Sequence, residues 1–118
     1  MAAIERMNYR ATWKSILDKH KTEVEQAHPD MEIDDRAQIV LPRTFKEYLF
    51  ACYCDDVKLK HKTPWEELNG RKSAEMIAVT RHHWLPSVVA KMEIGDLMLA
   101  LHEELSQFKL STEAMDVC

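Results

Sequence analysis

Two adjacent histidines, His82 and His83, follow Arg81 and precede Trp84 in the stretch RKSAEMIAVTRHHWLPSVV, Arg71 to Val89. Imidazoles in such a setting could ligate a metal, relay a proton, or join nearby cations at a phosphate backbone. Metal ligation fails on spacing, because neighbouring residues on a helix point about 100° apart and cannot close on one ion. His83 is expected on the edge of the apolar face formed by Met76, Ile77, Thr80 and Trp84, half-buried and bonded to an acceptor. His82 is expected beside Glu75, in solvent.

The other reactive side chains are less suggestive of chemistry. HEELS, His102 to Ser106, copies the front of a zincin helix, but Ser106 stands where the second histidine ligand must be. CYC, Cys52 to Cys54, is not a CxxC knuckle, and its sulfurs diverge on a helix. Cys52 is the thiol expected on an apolar face, where burial raises its pKa and quiets it. The pairs Asp34-Asp35 and Asp55-Asp56 read as a helix start and a helix end rather than as opposed catalytic carboxylates. His20 falls on an apolar stripe as a core histidine, and Trp13, Trp65 and Trp84 are expected to serve packing. No cofactor and no metal are expected.

Charge is the remaining lead. Residues 1–56 carry a net −3, residues 57–83 +3 and residues 84–118 −4. Lys58, Lys60, Lys62, Arg71, Lys72 and Arg81, with His82, could form a basic surface. Glu103 and Glu104 are candidates for an outward acidic one. The same basic stretch can be tried as a helix-turn-helix unit, its turn at His82-His83 and Pro86 at the front of the second helix.

The elements that must position these residues read as helices. Tyr9, Trp13, Ile16, His20, Val24 and Ala27 step by three or four, predicting a helix from Asn8 to Ala27 that His28-Pro29-Asp30 ends. Met31 to Pro42 is ambiguous, with Gln38–Leu41 either a short strand or one helical turn. Thr44 with Glu47 forms a capping-box pattern before Phe45, Tyr48, Leu49 and Cys52. Val57, Leu59 and His61 alternate with lysines, suggesting an extended edge or a solvated loop. Thr63-Pro64-Trp65-Glu66 reads as the start of a short helix that Gly70 ends. Ser73 is expected to cap a helix reaching Leu85, and Asp96 to Lys109 to form the last long one.

Only two glycines, Gly70 and Gly95, are present, which rules out a phosphate-cradling Gly-rich loop and favours helices. With 46% hydrophobic and 31% charged residues the chain belongs with globular domains rather than disordered segments. Its apolar runs, LFACYC and DLMLAL, fall far short of the ~20 residues a membrane span needs. Charges in MAAIERMNYRATWK leave no apolar leader stretch, and an odd count of three cysteines suits reduced thiols, so a cytoplasmic location is expected.

The sequence therefore predicts a mostly α, small single-domain helical bundle, residues 1–118, of four or five helices with one short extended segment at most. Residues 1–7 and 111–118 are expected to fray or, at the C-terminal end, to add a turn. The function expected is a non-catalytic cytosolic protein-interaction module: an adaptor, inhibitor or accessory factor, a profile shared by proteins of viruses and mobile elements that dock on a host complex. The alternative is a small DNA- or RNA-binding regulator using residues 58–83. A protein partner is expected, no membrane is, and an apolar helix face is available for pairing as a homodimer.

Overall fold

A computed structural model of the chain describes residues 7–61 and 64–118. Among the described residues there are seven helices and no strand: α1 (Tyr9–Ala27), α2 (Ile33–Lys60), α3 (Arg71–His82), α4 (Pro86–Ala90), α5 (Ile94–Ala100), α6 (His102–Gln107) and α7 (Thr112–Met115). The described residues fall into two compact units, one of residues 7–49 with 110–118 and one of residues 50–109. The long helix α2 contributes its first part to one and its last part to the other.

In the first unit α1 follows the predicted pattern closely. Asn8 caps it by accepting from the Ala11 N–H at 3.0 Å, and His28, before Pro29, closes it with its own N–H on the Val24 carbonyl. The helix runs antiparallel to the first part of α2. Trp13 meets Tyr48 edge to face at 5.1 Å, and Lys19 Nζ lies 2.6 Å from the Glu47 carboxylate. Tyr48 is fully buried and donates to the Ala114 carbonyl at 2.8 Å, tying down the tail. That tail forms a capped turn, with Ser111 accepting from the Ala114 N–H and Ala114 buried. His20 is largely covered, its ring nitrogens 3.5 Å from Glu23 and 3.6 Å from Glu47, neither contact a hydrogen bond.

Helix α2 corrects the predicted extended segments. Gln38–Leu41 and Val57–Lys60 both lie inside it, and the His61 N–H still bonds back to the Val57 carbonyl. Pro42 sits in its interior and leaves the Gln38 carbonyl without an intrahelical donor, a loss that solvent relieves because Gln38 is exposed. Thr44 is no cap: it is buried in mid-helix and donates to the Val40 carbonyl one turn back. Asp55-Asp56 is no helix end either, since Asp56 pairs with Lys60 at 2.9 Å within α2. Asp34 and Asp35 at the first turn and Lys58 and Lys60 at the last both complement the helix dipole.

In the second unit Phe50, Tyr53, Cys54 and Val57 form the buried stripe of α2, spaced by three and four. They share a core with Ala74 and Ala78 of α3, Val89 of α4, Leu97 of α5 and Leu101. The two alanines, one turn apart, are small enough to let neighbouring helices approach α3 closely. Ser73 is the third residue of α3 rather than its cap; its buried hydroxyl lies 2.8 Å from the Cys54 carbonyl and 2.9 Å from that of Gly70. Gly70 does not end a helix but precedes one, with φ at +53°.

The short helix predicted at Thr63 does not form where it can be described. Thr63 lies outside the described residues, Trp65 and Glu66 carry no helical turn, and Glu66 pairs with Lys72 instead of folding back on a cap. Trp65 is largely exposed and is not core. Asp96–Lys109 is broken at Leu101, whose φ of −103° and ψ of 25° separate α5 from α6. The break at Leu101, the separate short α4 after Pro86 and the terminal α7 raise the count to seven among the described residues. No helix among the described residues is long and apolar enough to cross a membrane.

Candidate functional site

Most of the residues singled out by charge lie in the second unit and are held by its own groups. Lys60 pairs with Asp56, and Lys72 with Glu66. Lys58, half-buried at the end of α2, makes no ion pair among the described residues, and Lys62 lies outside them. Arg71, the first residue of α3, reaches Glu75 at 3.0 Å through Nε and the carbonyls of Val89, at 3.1 Å, and Met92 through Nη2. The Val89 carbonyl also accepts from the Met92 N–H at 3.1 Å, and Met92 lies two residues past α4, so this guanidinium ties the end of that five-residue helix to the first turn of α3.

Arg81 is brought together with the two acids expected to face outward. It donates to Glu104 at 2.7 Å through Nη1 and to Glu103 through Nη2. Those contacts, led by the hydrogen bond to Glu103, push the Arg81 pKa up, and the bond to Glu66 does the same for Lys72. Both cations are thus held in charged form beside carboxylates, which satisfies them locally.

The histidine pair is arranged opposite to expectation. His83 is exposed and takes a left-handed conformation, φ 56° and ψ 32°, at the C-cap of α3, its N–H bonded to the Val79 carbonyl. His82 is the half-buried one. Its Nε2 lies 2.7 Å from the carbonyl of Ala100 at the end of α5, and a carbonyl can only accept, so Nε2 carries a hydrogen. Its ring stacks on Trp84 with centroids 4.3 Å apart and planes 17° from parallel. The left-handed residue at His83 turns the chain out of the helix, which moves Trp84 off the face it would share with Met76 and Thr80 on a regular one.

Just beyond, Pro86 opens α4 with Leu85 as its N-cap. Val89 points into the core, while Leu85 is 68% exposed and Val88, beside it on α4, 49% exposed. Trp84 adds a partly exposed indole. Two large apolar side chains therefore stand in solvent, with the half-covered indole of Trp84 before them, on a short segment fixed from both sides by the His82–Ala100 bond and by Arg71. No local pattern separates Val88 from Val89, and an apolar run around a proline reads as core when only residue type is counted.

Chemistry elsewhere in the unit is subdued. Burial pushes the Cys54 thiol up to about 11, so it is protonated at neutral pH. Among the described residues no group of three His, Cys, Asp or Glu side chains could hold a metal ion. No protein-family model, curated protein or solved structure matches this chain.

Proposed function

We propose that this chain is a non-catalytic protein-docking module, an adaptor, inhibitor or accessory factor that works in a cytosol-like compartment. The observation that carries the reading is the exposure of Leu85 and Val88, three residues apart at the start of α4, beside Trp84. Large apolar side chains held out on a fixed element have the makeup of an interface centre. Tryptophan is also among the residues that most often dominate binding energy. The His82, Arg81 and Glu103–Glu104 contacts then act as support for that surface rather than as the surface itself.

The regulator reading, with DNA or RNA held by residues 58–83, draws less support. Lys60, Arg71, Lys72 and Arg81 each already face a carboxylate of their own unit, and a phosphate would have to displace it. The second helix of the would-be helix-turn-helix is five residues long, about 7.5 Å at 1.5 Å per residue, too short to lie along a groove.

Immobilised wild-type protein and a Leu85→Glu, Val88→Glu variant, compared in the same native extract, test the proposal. The expected result is a set of proteins held by the wild type and lost by the variant, with the two melting at the same temperature. Identical capture by both, or steeply salt-dependent binding to random duplex DNA, would sink it.

A further inference from the structure

Asparagine stands before glycine once in the chain, at Asn69-Gly70, on the exposed approach to α3. The other asparagine, Asn8, is followed by Tyr9, and its side-chain oxygen caps α1 by accepting from the Ala11 N–H. Asn69 has no such duty. Among the described residues its side-chain amide makes one hydrogen bond, Nδ2 donating to Glu67 at 3.1 Å, an exposed contact that water competes with freely. Gly70 is equally open. It is exposed, a Cβ there would meet nothing within 4 Å, and its N–H donates no hydrogen bond among the described residues. Without a side chain on Gly70, nothing screens that nitrogen from the side-chain carbonyl carbon of Asn69.

We infer that Asn69 and Gly70 form a self-modifying site whose co-reactant is water. The main-chain nitrogen of Gly70 gives its proton to solvent and bonds to Cγ of Asn69. The bond from Cγ to Nδ2 breaks, and that nitrogen takes up a proton and leaves as ammonia. A five-membered cyclic imide remains, which water opens at either of its carbonyls. Opening at Cγ gives aspartate on an unchanged main chain. Opening at the main-chain carbonyl gives isoaspartate, with the chain rerouted through the former side chain. Neither route oxidises or reduces any atom.

Rerouting at this point acts on the root of α3. The Asn69 carbonyl accepts from the Lys72 N–H at 3.2 Å, and the Gly70 carbonyl accepts from the Ser73 N–H, also at 3.2 Å. The fully buried Ser73 hydroxyl lies 2.9 Å from the Gly70 carbonyl and 2.8 Å from that of Cys54 on α2. Isoaspartate turns the Asn69 carbonyl into a free carboxylate and adds one carbon to the main chain. Gly70 then shifts relative to α3, and buried polar groups of its first turn lose their partners, a loss that stability registers. Aspartate leaves those contacts in place, so two products of equal mass separate in stability.

Peptide mapping by mass spectrometry tests this on the full chain, held in mildly alkaline buffer at physiological temperature with and without urea. In native buffer Asn69 converts as readily as in urea, while Asn8 of the same molecules stays intact. Gly70→Ala, whose methyl group hinders the nitrogen, and Asn69→Gln, which would need a larger ring, show no conversion over that time. A protease that cuts before aspartate and spares isoaspartate sorts the products. The isoaspartate fraction melts below the freshly prepared Asn69→Asp variant, from which it differs only in the routing of the chain. Conversion of Asn69 only in urea, or of Asn8 alongside it in native buffer, overturns the inference. Equal melting of the isoaspartate fraction and Asn69→Asp overturns the effect on α3.

Discussion

The Nη2 atom of Arg71 lies 3.1 Å from the main-chain oxygen of Val89, eighteen residues further along the chain. A side chain that composition places on a basic surface is thus turned inward to hold the end of another helix. Because α4 has only five residues, it cannot persist without such tertiary support.

Replacing Arg71 with Met should cost about 1.5–3 kcal/mol, the usual worth of hydrogen bonds to a charged group. Arg71→Lys should recover little of it, because an ammonium cannot reach Glu75 and two carbonyls with the geometry of the guanidinium fork. Urea unfolding of the three proteins measures this. Full recovery by Lys would show that charge alone matters at this position.

Backbone conformation makes a pair of opposite predictions at either end of α3. Gly70 has a φ of +53°, and a Cβ at this position would meet nothing within 4 Å. Gly70→Ala therefore faces backbone strain alone and should destabilise by about 1–3 kcal/mol. His83 occupies a left-handed position that glycine takes without steric penalty, so His83→Gly should stabilise by about 0.5–1 kcal/mol. Melting temperatures should move down in the first variant and up in the second.

Stability should fall on the alkaline side. Burial lifts Cys54 from its ordinary 9.0 to about 11, and burial with the nearby Glu104 carboxylate lifts Tyr53 from 10.0 to about 12. Each group is neutral when protonated, so the folded chain retains protons that the unfolded chain releases. Their contribution is whole below pH 9.0 and is lost as pH rises through about 11 and about 12. Denaturation midpoints taken from neutral into alkaline buffer should show this, and Tyr53→Phe should remove the upper part of the decline. A midpoint that is flat through that range would contradict the burial of both groups.

The sequence shows α1 clearly because one cap, one apolar stripe and one proline stop all agree. Helix α2 is obscured for a physical reason. Its buried row is Val40, Thr44 and Tyr48 in the first unit, then Phe50, Tyr53, Cys54 and Val57 in the second, so no single 3.6-residue period runs its length. Pro42 and the alternation of Lys58 and Lys60 with apolar neighbours then mimic strand signals inside a helix. The charged residues of the candidate surface were legible by type, but not their pairing. Arg81 with Glu103 and Glu104 joins positions more than twenty apart, and nothing local specifies that contact. Exposure of Leu85 and Val88 was hidden for the same reason, since it depends on where α3 stops and on what Arg71 holds.

The decisive experiment places a photo-reactive amino acid at position 85 in one protein and at position 14, on the exposed side of α1, in another, with both irradiated in the native cell. A docking role for α4 predicts a discrete heavier adduct with a different protein from position 85 and none from position 14. Equal adduct yields at the two positions, no adduct from position 85, or an adduct there containing only two copies of this chain would contradict it.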